Sequence, residues 1–518
     1  MFQIKNLTLT HRKDLRVILE DFTLILNSGD KAVIIGEEGN GKSTLLKWIY
    51  DPELIEAYAE ASGERVLSGE RLGYLPQELP EEDKEKSVYE FYAECPEFYG
   101  KTPKELAELA GKFSVEKSFF YSDQKMGTLS GGERIKAQMM RLLMQTPTIL
   151  LLDEPSNDID IETLECMEKI ICGWEQAVLF ISHDETLIEH TANKVIHLEQ
   201  IRRKTKSRYT VAQMSYRRYV EERLHLYEKQ EQKALGERRE KKIRDEKLRR
   251  LEQSVGVQLD NISRGLPGIA ANMKRKMKSL KSMEKRFERE DAQMTEMPEQ
   301  EEAIFFKLGD RDSVIPAGKI VLDYELLQLQ TPDRSRILAE NVRLFLRGSE
   351  KICIVGTNGS GKTTFLSALY RTLSERQDLR IQYMPQNYEE LLDLEQTPVD
   401  YLDTSGEKEE RTRIRTYLGS LKYTADEMDH PIRELSGGQK AKVLLLKLSL
   451  SDANVLVLDE PTRNFSPLSG PVIRRMLREF PGAIISVSHD RKYISEVCDK
   501  VYRLTKKGLI QVEKPSKE

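Results

Sequence analysis

One set of motifs occurs twice in this chain, in the same order, and the recurrence limits the available folds more than any other feature. GEEGNGKST occupies residues 36–44 and GTNGSGKTT residues 356–364. LSGGE at 129–133 returns as LSGGQ at 435–439, TILLLDEP at 148–155 as VLVLDEP at 455–461, and ISHD at 181–184 as SHD at 488–490. Three corresponding positions are displaced by 306 residues (130→436, 153→459, 183→489), whereas Lys42 and Lys362 are 320 apart. A 518-residue chain with such a repeat holds two domains of one fold, differing chiefly between the glycine-rich loop and the LSGG segment.

Each copy reads as a phosphate-binding unit. KAVIIG, residues 31–36, has the length and apolarity of a buried strand and enters G-x-x-x-x-G-K-[ST] directly. In that context Gly36, Gly39 and Gly41 let backbone N–H groups approach phosphates, and the following helix adds positive potential at its N-terminus. Gly356, Gly359 and Gly361 are their counterparts. Lys42 and Lys362 are placed to reach the outer phosphates, with Ser43, Thr44, Thr363 and Thr364 behind them; Ser43 and Thr363 are candidate Mg²⁺ ligands. Each Asp-Glu pair ends an apolar run. Asp153 and Asp459 are candidates for the Mg²⁺ shell, with Gln77 and Gln386, and Glu154 and Glu460 for polarising an attacking water. His183 and His489 are candidates for touching the terminal phosphate.

With these elements in this order, each half resembles an ABC-type nucleotide-binding domain. The expected fold class is α/β: two tandem ABC-type P-loop nucleotide-binding domains joined by a long α-helical hairpin linker. The resemblance implies head-to-tail packing, with each ATP between one P-loop and the signature loop of the other domain. One site then joins Lys42, Asp153, Glu154 and His183 to Ser436, Gly437 and Gly438. The other joins Lys362, Asp459, Glu460 and His489 to Ser130, Gly131 and Gly132. Both can close within one chain, so a monomer with intramolecular pairing is expected. Two departures stand out. Where such domains commonly stack an aromatic on adenine, this chain offers His11, which reads as a surface loop residue. The segment after the first Asp-Glu pair is SNDID (156–160), close to the usual S/T-N-x-x-D, but the second is TRNFSP (462–467) without the aspartate. That aspartate helps couple the sites, so unequal turnover is expected.

Between the copies the composition changes. Residues 201–290 hold 27 Lys and Arg against 13 Asp and Glu, a net +14 in a chain of −5, so the remainder carries −19. One basic segment in an acidic protein points to a polyanionic partner. From Met214 to Leu251 there is no Pro and one Gly, Gly236. Tyr216, Tyr219, Val220, Leu224 and Tyr227 recur at helical spacing, and Gly256, Gly265, Pro267 and Gly268 break the pattern. It resumes with Ile269, Met273, Met277, Leu280 and Phe287. Two antiparallel helices with a tip loop near 254–267 are expected, giving domains 1–205, 206–300 and 301–518. The tip is apolar (Val255, Val257, Leu259, Ile262, Leu266), which suits a surface that something covers.

Several classes are excluded. Cys95, Cys166, Cys172, Cys353 and Cys498 form no C-x-x-C pair and read as buried small residues of a reducing compartment. The N-terminus lacks a signal-peptide layout, and no apolar run approaches the roughly 20 residues that cross a bilayer. A cytoplasmic protein without a membrane domain is expected.

Tandem cassettes around a basic helical linker resemble the ABC-F family over essentially the whole length. The resemblance implies an ATP- and Mg²⁺-dependent ATPase that binds the ribosome at the tRNA exit site, touching large-subunit rRNA and P-site tRNA. Its linker tip would lie near the peptidyl-transferase centre. General translation factors of that family carry an extra helical arm before the glutamine loop. Here Lys42 to Gln77 is 35 residues against 24 for Lys362 to Gln386, too little for a helical hairpin. The absent arm, the short C-terminus and TRNFSP resemble the antibiotic-resistance, target-protection subgroup, which relieves lincosamide, streptogramin A and pleuromutilin-type drugs. The alternative is a regulatory ABC-F translation factor without a resistance role. More remote is the energising ATPase of a transporter, which has no use for a basic hairpin.

Overall fold

Five-residue apolar runs bounded by polar turns set the two large sheets. The computed structural model describes residues 2–157, 159–201, 206–260, 267–291, 294–295, 297, 308–309, 313–331 and 334–514. In the first cassette the strands are β1 (Phe2–His11), β2 (Val17–Leu26), β3 (Lys31–Ile35), β4 (Ala59–Leu67), β5 (Leu72–Leu75), β6 (Ile149–Asp153), β7 (Ala177–Ile181), β8 (Lys194–Ile201) and β9 (Lys206–Ala212). The large sheet has the order β5-β6-β7-β3-β8-β9, parallel except for β9. Every residue of β3, β6 and β7 is buried, as continuous rather than alternating apolarity requires of parallel strands covered on both faces.

The second cassette repeats this sheet with β10 (Ile320–Gln330), β11 (Ile337–Arg347), β12 (Lys351–Val355), β13 (Ile381–Met384), β14 (Val455–Asp459), β15 (Ala483–Val487), β16 (Lys500–Thr505) and β17 (Gly508–Val512). Its order, β13-β14-β15-β12-β16-β17, is the same permutation. The cassettes differ in the small antiparallel sheet, which is β2-β1-β4 in the first and β10-β11 in the second. The longer spacing between Lys42 and Gln77 is therefore spent on β4, not on an arm. In both cassettes the glycine-rich loop, the Asp-Glu pair and the Ser-His pair leave the carboxyl ends of adjacent strands, where open α/β sheets place ligands.

By contacts the chain divides into two units, Met1–Tyr216 with Glu301–Glu518, and Arg217–Gln300. The boundary expected after residue 205 falls inside a sheet, because β9 pairs with β8. The second unit consists of the helices Tyr216–Asp260 and Pro267–Asp291. The first has 45 residues, about 67 Å at 1.5 Å per residue. It runs on through Gly256, so the expected tip at 254–267 starts too early. One glycine costs a helix only about 1 kcal/mol, and Val255 beside it is buried while Val257 is exposed. The side chains of Leu259, Ile262 and Leu266, named in the expected tip, lie outside the described residues. Leu224, expected in the apolar stripe, is exposed; Arg223 lies instead over the Tyr227 ring at 4.9 Å.

The two helices are tied by charge as well as apolar packing. Lys241 lies 2.9 Å from Asp291, Arg244 also pairs with Asp291, and the Arg244 guanidinium covers the Phe287 ring at 4.4 Å. Among the cysteines Cys95, Cys353 and Cys498 are buried, but Cys172 is exposed, against expectation.

At Gly36, where β3 turns into the loop, φ is 147° and a Cβ would lie 2.3 Å from the Leu198 carbonyl oxygen of β8. The corresponding gap at Gly356 is 3.0 Å, to Leu504. Both glycines hold a loop against a neighbouring strand, the first more tightly. Gly36→Ala is therefore expected to cost about 2–4 kcal/mol and Gly356→Ala about half as much. Thermal unfolding of the two variants checks this; equal melting temperatures would refute the ranking.

Candidate functional site

Gly41 and Gly361 begin the helices Lys42–Tyr50 and Lys362–Ser374 in the left-handed region, φ 84° and 94°. A Cβ there would strike Ile18 or Leu338, so only glycine allows the small sheet to close on the loop. Lys42 is buried, its Nζ donating to the carbonyls of Gly36 at 3.0 Å and Glu37 at 3.1 Å. Lys362 does the same to Gly356 at 2.9 Å and Thr357 at 3.0 Å. Burial lowers both ammonium pKa values, against the pull of Glu154 or Glu460. Thr44 and Thr364 follow half-buried in the first turn.

Ser43 donates to Asp153 Oδ1 at 2.9 Å, and Tyr74 to Oδ2 at 3.3 Å. Burial pushes both Asp153 and Asp459 up to about 6, despite the hydroxyls of Ser43 and Thr363. Asp459 Oδ2 is buried with no hydrogen-bond partner among the described residues, an anionic oxygen that invites a cation. A carboxylate beside a hydroxyl suits Mg²⁺, which keeps water and phosphate in most of its positions. The residues fit the ion. Gln386 lines the cavity beside Asp459, whereas Gln77 stands exposed after β5.

The next residue is strained in both cassettes. Glu154 and Glu460 have φ of 51° and 50°, rare for a non-glycine, and each backbone N–H donates to the adjacent strand, at Ile181 and Val487. Their side chains differ. Glu154 Oε1 lies 3.1 Å from His183 Nε2, while Asn157 holds the other oxygen. Burial alone would raise this carboxyl, but His183, Lys42 and Asn157 hold it at about 2. Glu460 is held by Ser488 Oγ and the His489 N–H, both at 3.2 Å, with the His489 ring 3.9 Å away. Burial and the charge of Asp459 push it up to about 8. Burial and Lys362 depress His489 to about 4, and its buried Nδ1 has no hydrogen-bond partner among the described residues.

The cassettes meet at these groups. A cavity of about 550 Å³ is lined by Ser130 and Gly131 of the first cassette and by Gly361, Lys362, Glu460 and His489 of the second. Ser130 and Ser436 each cap a 14-residue helix in a capping box, with Glu133 and Gln439. Gly132 packs on Thr163. On the other side His183 Nδ1 is 2.7 Å from the Phe465 carbonyl.

Some participants were not legible as such. Glu38 takes the place that Asn358 holds in the second loop, and its carboxylate accepts the Gly438 N–H at the start of the signature helix. Lys422 lies 3.4 Å from Glu37. In the second site the relation is reversed, for the Asn358 N–H donates to Asp160. The carboxylate has moved from the segment after the Asp-Glu pair (the Walker B motif) to the glycine-rich loop, a change visible only once the faces are known to meet. Arg16 Nη2 donates to the Gly39 carbonyl at 3.4 Å; His11 stays in the turn with Asp14 at 2.8 Å.

Comparison with known proteins follows the same lines. The family model described as ABC transporter matches residues 19–157 and 339–463. ABC transporter F family member 5 of Arabidopsis thaliana is 26% identical over 73% of the chain, which spans only 52% of that protein's length. The ribosome protection protein VmlR of Bacillus subtilis is 28% identical over 93% of the chain and 83% of its own length. The fold is shared with an archaeal ribosome recycling factor crystallised with a ribosomal stalk protein, at TM-score 0.58, 18% identity, and coverage of 98% and 90%.

The Glu38 carboxylate lies at the N-terminus of the second signature helix, an end that favours anions, and would compete with a terminal phosphate bound there. Glu38→Asn is expected to lower the ATP concentration for half-saturation at that site about tenfold, with little change at the second site. Asn358→Glu should raise it at the second. Nucleotide titrations in a Lys362→Ala or Lys42→Ala background separate the two; an unchanged or weakened affinity in Glu38→Asn would count against competition.

Proposed function

The chain belongs to the ABC transporter family, with its two cassettes in the ABC-F arrangement, and we propose from this that it is an ATP-driven ribosome-binding factor that relieves antibiotic inhibition. The observation that carries the reading is a pair of composite sites on one chain whose sequence carries a basic helical hairpin between the two cassettes. Among the described residues no helix is long and apolar enough to cross a membrane.

In this reading ATP enters between each glycine-rich loop and the opposite signature loop. Lys42 and Lys362 leave their loop carbonyls for phosphate oxygens, and the N-termini of the helices at Ser130 and Ser436 meet the terminal phosphate. Ser43 and Asp153, or Thr363, Gln386 and Asp459, would hold Mg²⁺, which when bound would neutralise phosphate charge. Glu154, fixed by His183 and Asn157, orients the attacking water. Glu460 serves the second site and His489 approaches it. Closure needs both cassettes, so the two ATP molecules clamp the halves and hydrolysis frees them.

The hairpin supplies the partner. Lys241, Arg244 and Arg250 are engaged with Asp291 or Glu246, but Lys242, Arg249, Lys274 and Lys276 are exposed. They suit phosphates of large-subunit rRNA and P-site tRNA at the exit site. The helix ends around Asp260 and Pro267 then lie toward the peptidyl-transferase centre. There they would relieve lincosamide, streptogramin A and pleuromutilin-type drugs by displacing RNA. The likeness to a protein named for ribosome protection supports this.

The decisive experiment combines Glu154→Gln and Glu460→Gln. This variant is expected to bind ATP, turn it over about 10²–10⁴-fold more slowly, and co-sediment with ribosomes. Near-normal turnover would remove the glutamates from their role. A susceptible host carrying the wild-type chain should grow in a lincosamide or pleuromutilin but gain nothing against an unrelated antibiotic. Growth protection against none of them leaves the regulatory translation-factor reading.

Salt dependence tests the hairpin separately. Changing Lys242, Arg249, Lys274 and Lys276 to Gln should flatten the log–log salt slope of ribosome binding by up to about 3. Ribosome-free ATPase should be unchanged. An unaltered slope would mean that these charges are merely solvated.

A further inference from the structure

Because the two cassettes are copies, their shared interface can be read position against equivalent position. The displacement of 306 carries Glu168 onto Arg474 and Glu185 onto Arg491. These four residues meet between the cassettes. Arg491 Nη1 lies 2.9 Å from Glu168 Oε2, and Arg474 Nη1 lies 2.8 Å from Glu185 Oε2. Position 168/474 therefore faces position 185/491 on both sides of a pseudo-two-fold axis, the arrangement of an isologous contact.

Geometry is symmetric here, and charge is not. Both positions are glutamate in the first cassette and both are arginine in the second. Lys492 adds to the pattern, reaching Glu185 at 3.0 Å and Glu189 at 2.6 Å, and Arg491 also lies 3.4 Å from Asp184, whereas Asp490 of the second cassette acts on Asp184 as a like charge. On its own side Arg474 is steadied by Glu496 at 3.0 Å. The Arg474 side chain is 4% exposed and that of Glu185 11%, so these are desolvated charges rather than a solvated rim.

A duplicated chain carries the same face twice and must still choose between pairings. First cassette against second sets each of these two glutamates against an arginine. A first cassette against another first would bring four glutamates together, and second against second four arginines. Like charges brought together away from water oppose association strongly, even where shape fits.

We propose that this charge-swapped face selects the partner. It fits the first cassette to an arginine-bearing second cassette, here the one on the same chain, and rejects a like cassette of another copy. It is a specificity device distinct from the nucleotide sites, and it explains how two geometrically equivalent surfaces yield one pairing. The proposal does not depend on what the protein binds.

Three full-length variants test it by mass in sedimentation and by ATP dependence. Glu168→Arg with Glu185→Arg makes both faces basic; Arg474→Glu with Arg491→Glu makes both acidic. Each alone is expected to raise half-saturating ATP at least about tenfold. Mixed in equal amounts they should form a 1:1 complex of twice the chain mass, basic face on acidic face. The third variant carries all four changes and should be a monomer again, within about threefold of the wild-type ATP dependence. Should a one-sided variant fail to fold, the fourfold swap decides alone. A swap that folds and closes supports the proposal. A swap no better than its halves, or one-sided variants indistinguishable from wild type, would overturn it. If the wild type showed no ATP turnover, complex formation by mass would still separate these outcomes.

Discussion

His183 stands between two acceptors that belong to different cassettes. One ring nitrogen faces the Glu154 carboxylate at 3.1 Å, and the other faces the carbonyl of Phe465 at 2.7 Å. Through this single ring the Glu154 carboxylate is tied to the backbone that follows the Asp-Glu pair of the opposite domain. Any relative shift of the cassettes changes the hydrogen bonding of Glu154 directly. Among the described residues the second site lacks the same link: His489 Nδ1 is buried without a hydrogen-bond partner, and its ring is farther from Glu460. Two sites built from one template are thus held differently. The difference lies in the short cross-cassette contacts, not in the sheets, whose strand order is the same in both halves.

The same divergence recurs in electrostatics. Glu154 is kept ionised by cationic and polar neighbours, while Glu460 is pushed toward its neutral form by burial beside Asp459. A carboxylate reaches the interface from the segment after Walker B in one direction, Asp160, and from the glycine-rich loop in the other, Glu38. Behind the histidines, glutamates of one half meet arginines of the other. Duplication followed by such substitutions gives an interface with a defined polarity, which two identical halves could not have.

Much of this was legible before the fold was known. Motif order located both sets of lysine, aspartate, glutamate and histidine, because the chemistry of a phosphate loop needs those residue types at those spacings. Helical periodicity located the hairpin. It misplaced the tip, because Gly256 was read as a breaker although one glycine is a small penalty against continued packing. It also put Leu224 in the buried stripe, where Arg223 packs on Tyr227 instead. Residues 206–212 were assigned to the linker because they are basic; they form an edge strand, a position where lysine and arginine serve well.

Local sequence, then, determined the two cassettes, their loops and the charge of the segment between them, since each depends on residues within a few turns or a few strand positions of one another. Tertiary structure alone decided what faces what across the interface. Glu38, Phe465, Glu168 and Arg474 are unremarkable in their own segments, and their roles come from partners some 280 to 400 residues away. The physical reason is that burial and charge pairing depend on distance in space. A glutamate next to water and a glutamate against a buried arginine are the same letter in the sequence.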